Sequence, residues 1–232
     1  MMTMKIDAID LKLRSKLEEK QLIKSFKKII KQSSFVLSKQ VTNFEKKISN
    51  YLKVKYCLGC NSGTDALMMA LWAAGVKKGD EVITTPISFV ATIAAIKHVG
   101  AKPILVDVGK DLNIDTNLIE RKITKRTKAI MPVHWGGRIC NMKKINKISK
   151  KYNLKIIEDS AQAIGGYCKS SKKFAGNLGD IGCFSAHPLK ILNAVGDGGY
   201  IVTNNKRIYE KIKMYRNHGI DGNEVEIFGV NS

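Results

Sequence analysis

Apolar positions recur at helical spacing through the first thirty or so residues, where Ile9, Leu13, Leu17, Ile23, Phe26 and Ile30 form a stripe along a charged segment. A stripe of that kind needs a partner surface. Phe35-Val-Leu-Ser38 then leads into a second expected helix, residues 41–52. From Lys55 the pattern changes to short apolar runs alternating with helical ones. Strands are expected at 56–59, 81–85, 103–106, 129–134 and 154–157, and helices at 64–74, 89–99, 116–123 and 142–152. This order implies an α/β domain over residues 55–232, with a mostly parallel sheet flanked by helices, behind an N-terminal helical segment over 1–54. Sheets of this class place ligands beyond the carboxyl ends of their strands. Phe89, His134, Asp159 and Lys190 all fall at or beyond such ends.

Composition narrows the class. A chain of 232 residues with 44% hydrophobic content is long enough for one sizeable core. No apolar run approaches membrane-spanning length, and Met1-Met-Thr-Met-Lys-Ile-Asp7 lacks the apolar region of a signal peptide. A soluble cytoplasmic protein is expected, with no membrane partner. The formal charge of +20 would point to nucleic acid if it were clustered, but lysines occupy every segment. Nucleic acid is therefore not an expected partner, and the positive field instead helps attract an anionic substrate. A non-enzymatic basic binding or regulatory protein is the alternative that the charge keeps open.

The cysteines, Cys57, Cys60, Cys140, Cys168 and Cys183, are odd in number and form no disulfide framework. Cys57 and Cys60 have redox or zinc spacing, yet they lie in an expected strand, where residues three apart face opposite sides. No second Cys pair completes a zinc site. Reduced, mostly buried thiols and no metal site are expected.

The densest punctuation lies in Gly179-Asp-Ile-Gly-Cys-Phe-Ser-Ala-His-Pro-Leu-Lys190, followed by Gly196-Asp-Gly-Gly199. An apolar run stops at Phe184-Ser185, His187-Pro188 turns the chain, and Lys190 is left on a loop between two expected strands. A lysine amine that is partly desolvated becomes a nucleophile toward carbonyls. Most lysines in this chain read as solvated surface charges. Lys190 differs in its company, because Glu158-Asp159-Ser-Ala-Gln162 lies upstream at the end of a strand-like Leu154-Lys-Ile-Ile157. An acid followed by a framed lysine is a pyridoxal phosphate pattern. Upstream again, Asn61-Ser-Gly-Thr-Asp65 leads straight into a helix without Gly-x-Gly-x-x-Gly, which argues against a dinucleotide fold. Helix-start N–H groups with the hydroxyls of Ser62 and Thr64 suit either a phosphate or an ordinary cap.

Four motifs in order, Asn61-Ser-Gly-Thr-Asp-Ala-Leu67, Glu158-Asp-Ser-Ala-Gln162, Phe184-Ser-Ala-His-Pro-Leu-Lys190 and Gly196-Asp-Gly-Gly199, resemble the DegT/DnrJ/EryC1/StrS family of sugar aminotransferases. The resemblance runs from roughly Asp10 to the last residue. It implies an aspartate-aminotransferase-like large domain, fold type I, that binds pyridoxal 5'-phosphate. On that resemblance Lys190 is the lysine that condenses with the cofactor and moves the proton, and Asp159 holds the pyridine nitrogen. Gln162 donates to the ring oxygen, while Ser62, Gly63, Thr64 and Ser185 hold the phosphate. Phe89 either stacks on the ring or is a core residue. Glu158 reads as a structural acid and His187 as a turn residue; His134 sits within reach of substrate, with no chemistry assigned.

Arg216-Asn-His-Gly219 and Gly229-Val-Asn231-Ser232 resemble segments that precede a smaller C-terminal domain, so a fragment lacking most of that domain is expected, its own activity in doubt. Asn231 would then reach the cofactor phosphate of a neighbouring subunit in a homodimer with shared sites. The implied reaction moves an amino group, from L-glutamate, onto a keto carbon of a nucleotide-linked deoxysugar in surface polysaccharide or glycan synthesis. The family's sugar dehydratases, which use the same scaffold with pyridoxamine phosphate, are the enzymatic alternative; they carry histidine where this chain has Lys190.

Overall fold

The alternation that begins at Lys55 forms a seven-stranded sheet in the computed structural model, which describes residues 9–221, 224–225 and 227–232. The chain divides into two compact units, residues 1–44 and 45–232. In the first, α1 (Leu11–Lys31) starts at Asp10, whose carboxylate accepts the Leu13 N–H at 2.9 Å, and it carries basic residues in its last turn. The expected stripe is present on α1, but none of that helix is buried: Leu17 is 74% and Phe26 63% exposed. Helix α2 (Lys39–Leu52) runs into the second unit and buries Ile48 and Leu52 there.

The second unit continues with β1 (Tyr56–Cys60), α3 (Gly63–Ala73), β2 (Glu81–Thr84), α4 (Val90–His98), β3 (Lys102–Leu105), β4 (Thr127–Ile130), α5 (Met142–Tyr152) and β5 (Lys155–Asp159). A short hairpin, β6 (Tyr167–Cys168) with β7 (Lys173–Phe174), precedes β8 (Ile181–Ser185), β9 (Gly199–Thr203) and α6 (Lys206–Arg216). The sheet order is β1-β9-β8-β5-β4-β2-β3. Strands β3, β2, β4, β5 and β8 are parallel, while β9 runs against both β8 and β1. Alternation along each strand divides the interior into two cores. Val82, Ala129 and Ile157 pack with α3, α4 and α6, whereas Ile83, Ile130 and Ile156 pack with α5. Helix α3 is apolar on most sides and buries six of its residues, from Ala66 to Ala73. Helix α5 is amphipathic: Met142, Ile145 and Ile148 face inward and its lysines outward, and Asn153 ends it in the left-handed region.

Two expectations change. The helix expected at 116–123 is a single 3-10 turn, Glu120–Lys122. Asp115 explains the difference: its carboxylate accepts both the backbone N–H of Asn117, at 2.8 Å, and that residue's side-chain amide, at 2.9 Å. Such a local turn competes with helix initiation. Helix α6, which the sequence pattern had not marked, is capped by Asn205 and buries Ile208 and Ile212, four residues apart. Its last residue, Arg216, is 8% exposed and pairs with Glu45 of α2 at 2.5 Å, and it donates to the Gly59 carbonyl at 3.1 Å. Helices α2 and α6 are thereby pinned to β1. No helix among the described residues is long and apolar enough to cross a membrane.

Candidate active site

A cavity of about 290 Å³ opens at the carboxyl ends of the parallel strands. One wall is the start of α3. Ser62 adopts an extended conformation and its hydroxyl accepts the Asp65 N–H at 3.0 Å, so it is an N-cap. The cap uses an acceptor lone pair and leaves the hydroxyl proton available. Across from it stands the end of β8: a Cβ added to Gly63 would lie 2.9 Å from Cβ of Ser185. Glycine at 63 therefore lets the helix start and the strand end approach each other. Gly199 acts the same way from β9, because a side chain there would collide with the Ser62 carbonyl. Ser62, Gly63, Thr64 and Ser185 consequently line one end of the cavity, at the positive end of the α3 dipole. That is a setting for a phosphate dianion.

The floor is Asp159, the last residue of β5. It is 5% exposed and accepts two neutral donors: the Thr92 hydroxyl on Oδ2 at 2.7 Å and the Ala161 N–H on Oδ1 at 3.2 Å. Among the described residues no cation lies within ion-pair distance of it. Burial pushes its pKa up, against the opposing pull of Thr92, Ala161 and the charge of Lys190. A buried carboxylate held only by neutral groups, at the bottom of a cavity, is suited to a ligand that brings its own positive charge.

Lys190 lies on the loop between β8 and β9, half-buried, with its N–H donated to the His187 carbonyl at 2.8 Å. It lines the same cavity as Asp159. Phe89 does too, and at 67% exposed it is no core residue. Gln162 reaches the cavity with Oε1 engaged by the Gly136 N–H at 2.8 Å, which leaves its amide protons free to donate. Asn231, expected at the phosphate of a neighbouring subunit, lies outside the lining of this cavity, and its carbonyl accepts from the Asn61 side chain at 2.8 Å.

The family model of the DegT/DnrJ/EryC1/StrS aminotransferases matches residues 16–232. The chain belongs to this family. It is 40% identical over 93% of its length to a pleiotropic regulatory protein of Geobacillus stearothermophilus, and 41% identical over 98% to a dTDP-3-amino-3,6-dideoxy-alpha-D-galactopyranose transaminase of Aneurinibacillus thermoaerophilus. It spans 58% and 62% of the lengths of those two relatives. Its fold matches the crystal structure of Bacillus subtilis ntda with bound cofactor pmp at a TM-score of 0.86 and 34% identity, covering 92% of this chain and 49% of that one.

Two histidines near this family site differ from their sequence reading. His134 was expected within reach of substrate, but it is fully buried and its Nε2 lies 2.8 Å from Oε2 of Glu158. Burial disfavours a charge on the ring and the carboxylate favours one; the Cys140 N–H aimed at Nδ1, 3.2 Å away, decides for a neutral ring that donates from Nε2. Glu158 also accepts the N–H groups of Gly176, Leu178 and Gly179, at 2.9, 2.7 and 2.6 Å. This pair is structural. His187 does serve the turn, accepting the Leu189 N–H on Nδ1 at 3.2 Å, but it lines the cavity as well.

Ser88, Thr92 and Asp197 also line the cavity and were missed from sequence. Ser88 and Thr92 stand four apart in Ser88-Phe-Val-Ala-Thr92, the spacing that puts two side chains on one side of a helix start. The thiols behave as expected: all five cysteines are free, Cys57, Cys140 and Cys183 are buried, and burial pushes Cys60 up to about 12.

Proposed function

We propose that the protein is a pyridoxal-phosphate-dependent aminotransferase that places an amino group, from L-glutamate, on a keto carbon of a nucleotide-linked deoxysugar for glycan synthesis. The observation that carries this reading is Asp159, buried with neutral donors only, on the floor of the cavity that Lys190 also lines. When bound, the cofactor supplies an aldehyde that condenses with amines and a ring that accepts electron density.

The chain's own residues do the rest. The carboxylate of Asp159 holds a proton on the ring nitrogen, and the desolvated setting strengthens that pairing. Lys190 Nζ would take the proton from the substrate carbon that bears the nitrogen, acting as general base, and would then return it as general acid. Helix-start N–H groups at Gly63 and Thr64, with the hydroxyls of Ser62 and Ser185, bind the phosphate. Phe89 covers one face of the ring and keeps water from it. The Gln162 amide donates to the ring oxygen. Asn231 reaches the phosphate of a second subunit in a homodimer with shared sites. Lysine at position 190, where the family's dehydratases carry histidine, favours transfer of nitrogen over loss of hydroxyl.

The test is stoichiometry. Incubated with glutamate and a keto sugar nucleotide, the full-length protein should release 2-oxoglutarate one for one with amino sugar. A deoxygenated sugar without nitrogen would refute the reading.

A further inference from the structure

We propose that Thr92, backed by Ser88, is a positioning residue that fixes the Asp159 carboxylate in its ionised form for the pyridine nitrogen; this rests on the pyridoxal phosphate reading above. Thr92 sits in the first turn of α4, is 1% exposed, and donates its hydroxyl to Oδ2 of Asp159 at 2.7 Å. The Ser88 hydroxyl stands 2.5 Å from that of Thr92. A hydroxyl has one proton to give. With Asp159 ionised, Thr92 gives its proton to the carboxylate, so Ser88 must be the donor to Thr92. The bonds then run in one direction, from Ser88 at the cavity wall through Thr92 to Asp159. If Asp159 carried a proton on Oδ2, the bond between Thr92 and Asp159 would have to reverse.

The pair therefore has a sign: donation toward Asp159 stabilises the charged form. Among the described residues one other donor supports that charge, the Ala161 N–H on Oδ1. The charged and titratable groups around it come from several elements. Lys190 on the β8–β9 loop favours the ionised acid, His134 beyond β4 is the neutral donor to Glu158, and Cys183 on β8 lies close enough to feel the carboxylate. Glu158, next in sequence, is occupied by His134 and three backbone N–H groups. Burial raises the pKa of Asp159 against these contacts, so each donor lost moves it further toward the neutral acid. A neutral acid offers a protonated ring nitrogen no counter-charge. The hydroxyl at 92 is the side-chain donor to that charge, beside the Ala161 N–H.

The experiment titrates apoprotein with pyridoxal phosphate across pH and compares wild type with Thr92→Val, Thr92→Ser and Ser88→Ala. Thr92→Val keeps the shape and removes the donor. Hydrogen bonds to charged groups of this kind bring an expected loss of affinity on the order of tenfold to a hundredfold at neutral pH. Affinity should also begin to fall, on acidification, at a higher pH than in wild type. Thr92→Ser should restore both the affinity and the profile, and Ser88→Ala should show the same shift at smaller size. A loss that is equal at every pH, or that serine fails to rescue, would mean that Thr92 only fills space and would overturn the proposal. So would Thr92→Val binding as wild type does. Wild type that takes up no pyridoxal phosphate would overturn the functional reading, and this inference with it.

Discussion

Glu158 and Asp159 are neighbours at the end of one strand, and they occupy opposite electrostatic worlds. Glu158 has no exposure and accepts four N–H donors, from His134, Gly176, Leu178 and Gly179. Asp159, turned to the other side by the alternation of β5, has two neutral donors and faces a cavity. The first carboxylate is satisfied by the chain and ties the segment at 176–179 to the sheet. The second is held short of satisfaction, and the free energy of that deficit is available to a cationic ligand. Two acids side by side in one motif thus differ in whether the fold or a ligand completes them.

The largest expected break in this comparison is Glu158→Ala. It strands His134 and three backbone N–H groups in the interior, at a cost of about 1–3 kcal/mol for each buried donor left unsatisfied. Chemical denaturation of apoprotein should show it as a large drop in midpoint; a change under about 0.5 kcal/mol, the size of an ordinary surface substitution, would mean that Glu158 is not the tie described here.

Asp159→Asn should move stability the other way. Burial raises the folded pKa of Asp159 above its unfolded value of 3.8, so its contribution to stability is full below that value and is lost as pH rises through the folded pKa. Apoprotein carrying asparagine should match wild type in acid and become the more stable of the two as pH rises toward neutrality. Denaturation midpoints measured from below the unfolded value of 3.8 up to neutrality check this. A variant less stable than wild type at neutral pH would contradict a strained, ligand-ready carboxylate.

How much of this contrast is legible in the chain depends on how local its causes are. The sheet was legible because strands and helices alternate in order, and the cavity was legible because its walls are short contiguous motifs at strand ends. Lys190 on its loop and Ser62–Thr64 at a helix start follow from neighbouring glycines and hydroxyls. The satisfaction of Glu158 was not legible, since its donors come from residue 134 and from 176–179, which only the tertiary fold assembles. His134 failed for a related reason: being at a strand end does not say which side the ring takes. Thr92 was written in the spacing Ser88-x-x-x-Thr92 but was masked by Phe89, the more conspicuous residue of that run. The pairing of Arg216 with Glu45 joins elements at opposite ends of the described chain, and no local pattern announces it.

The most direct test of the ligand-completed side of β5 is to reduce the full-length protein with borohydride in the presence of pyridoxal phosphate and map the modified peptide by mass spectrometry. The account predicts a single adduct on Lys190, fixed in wild type and absent from Lys190→Ala. An adduct on a different lysine, or none in wild type, would contradict it.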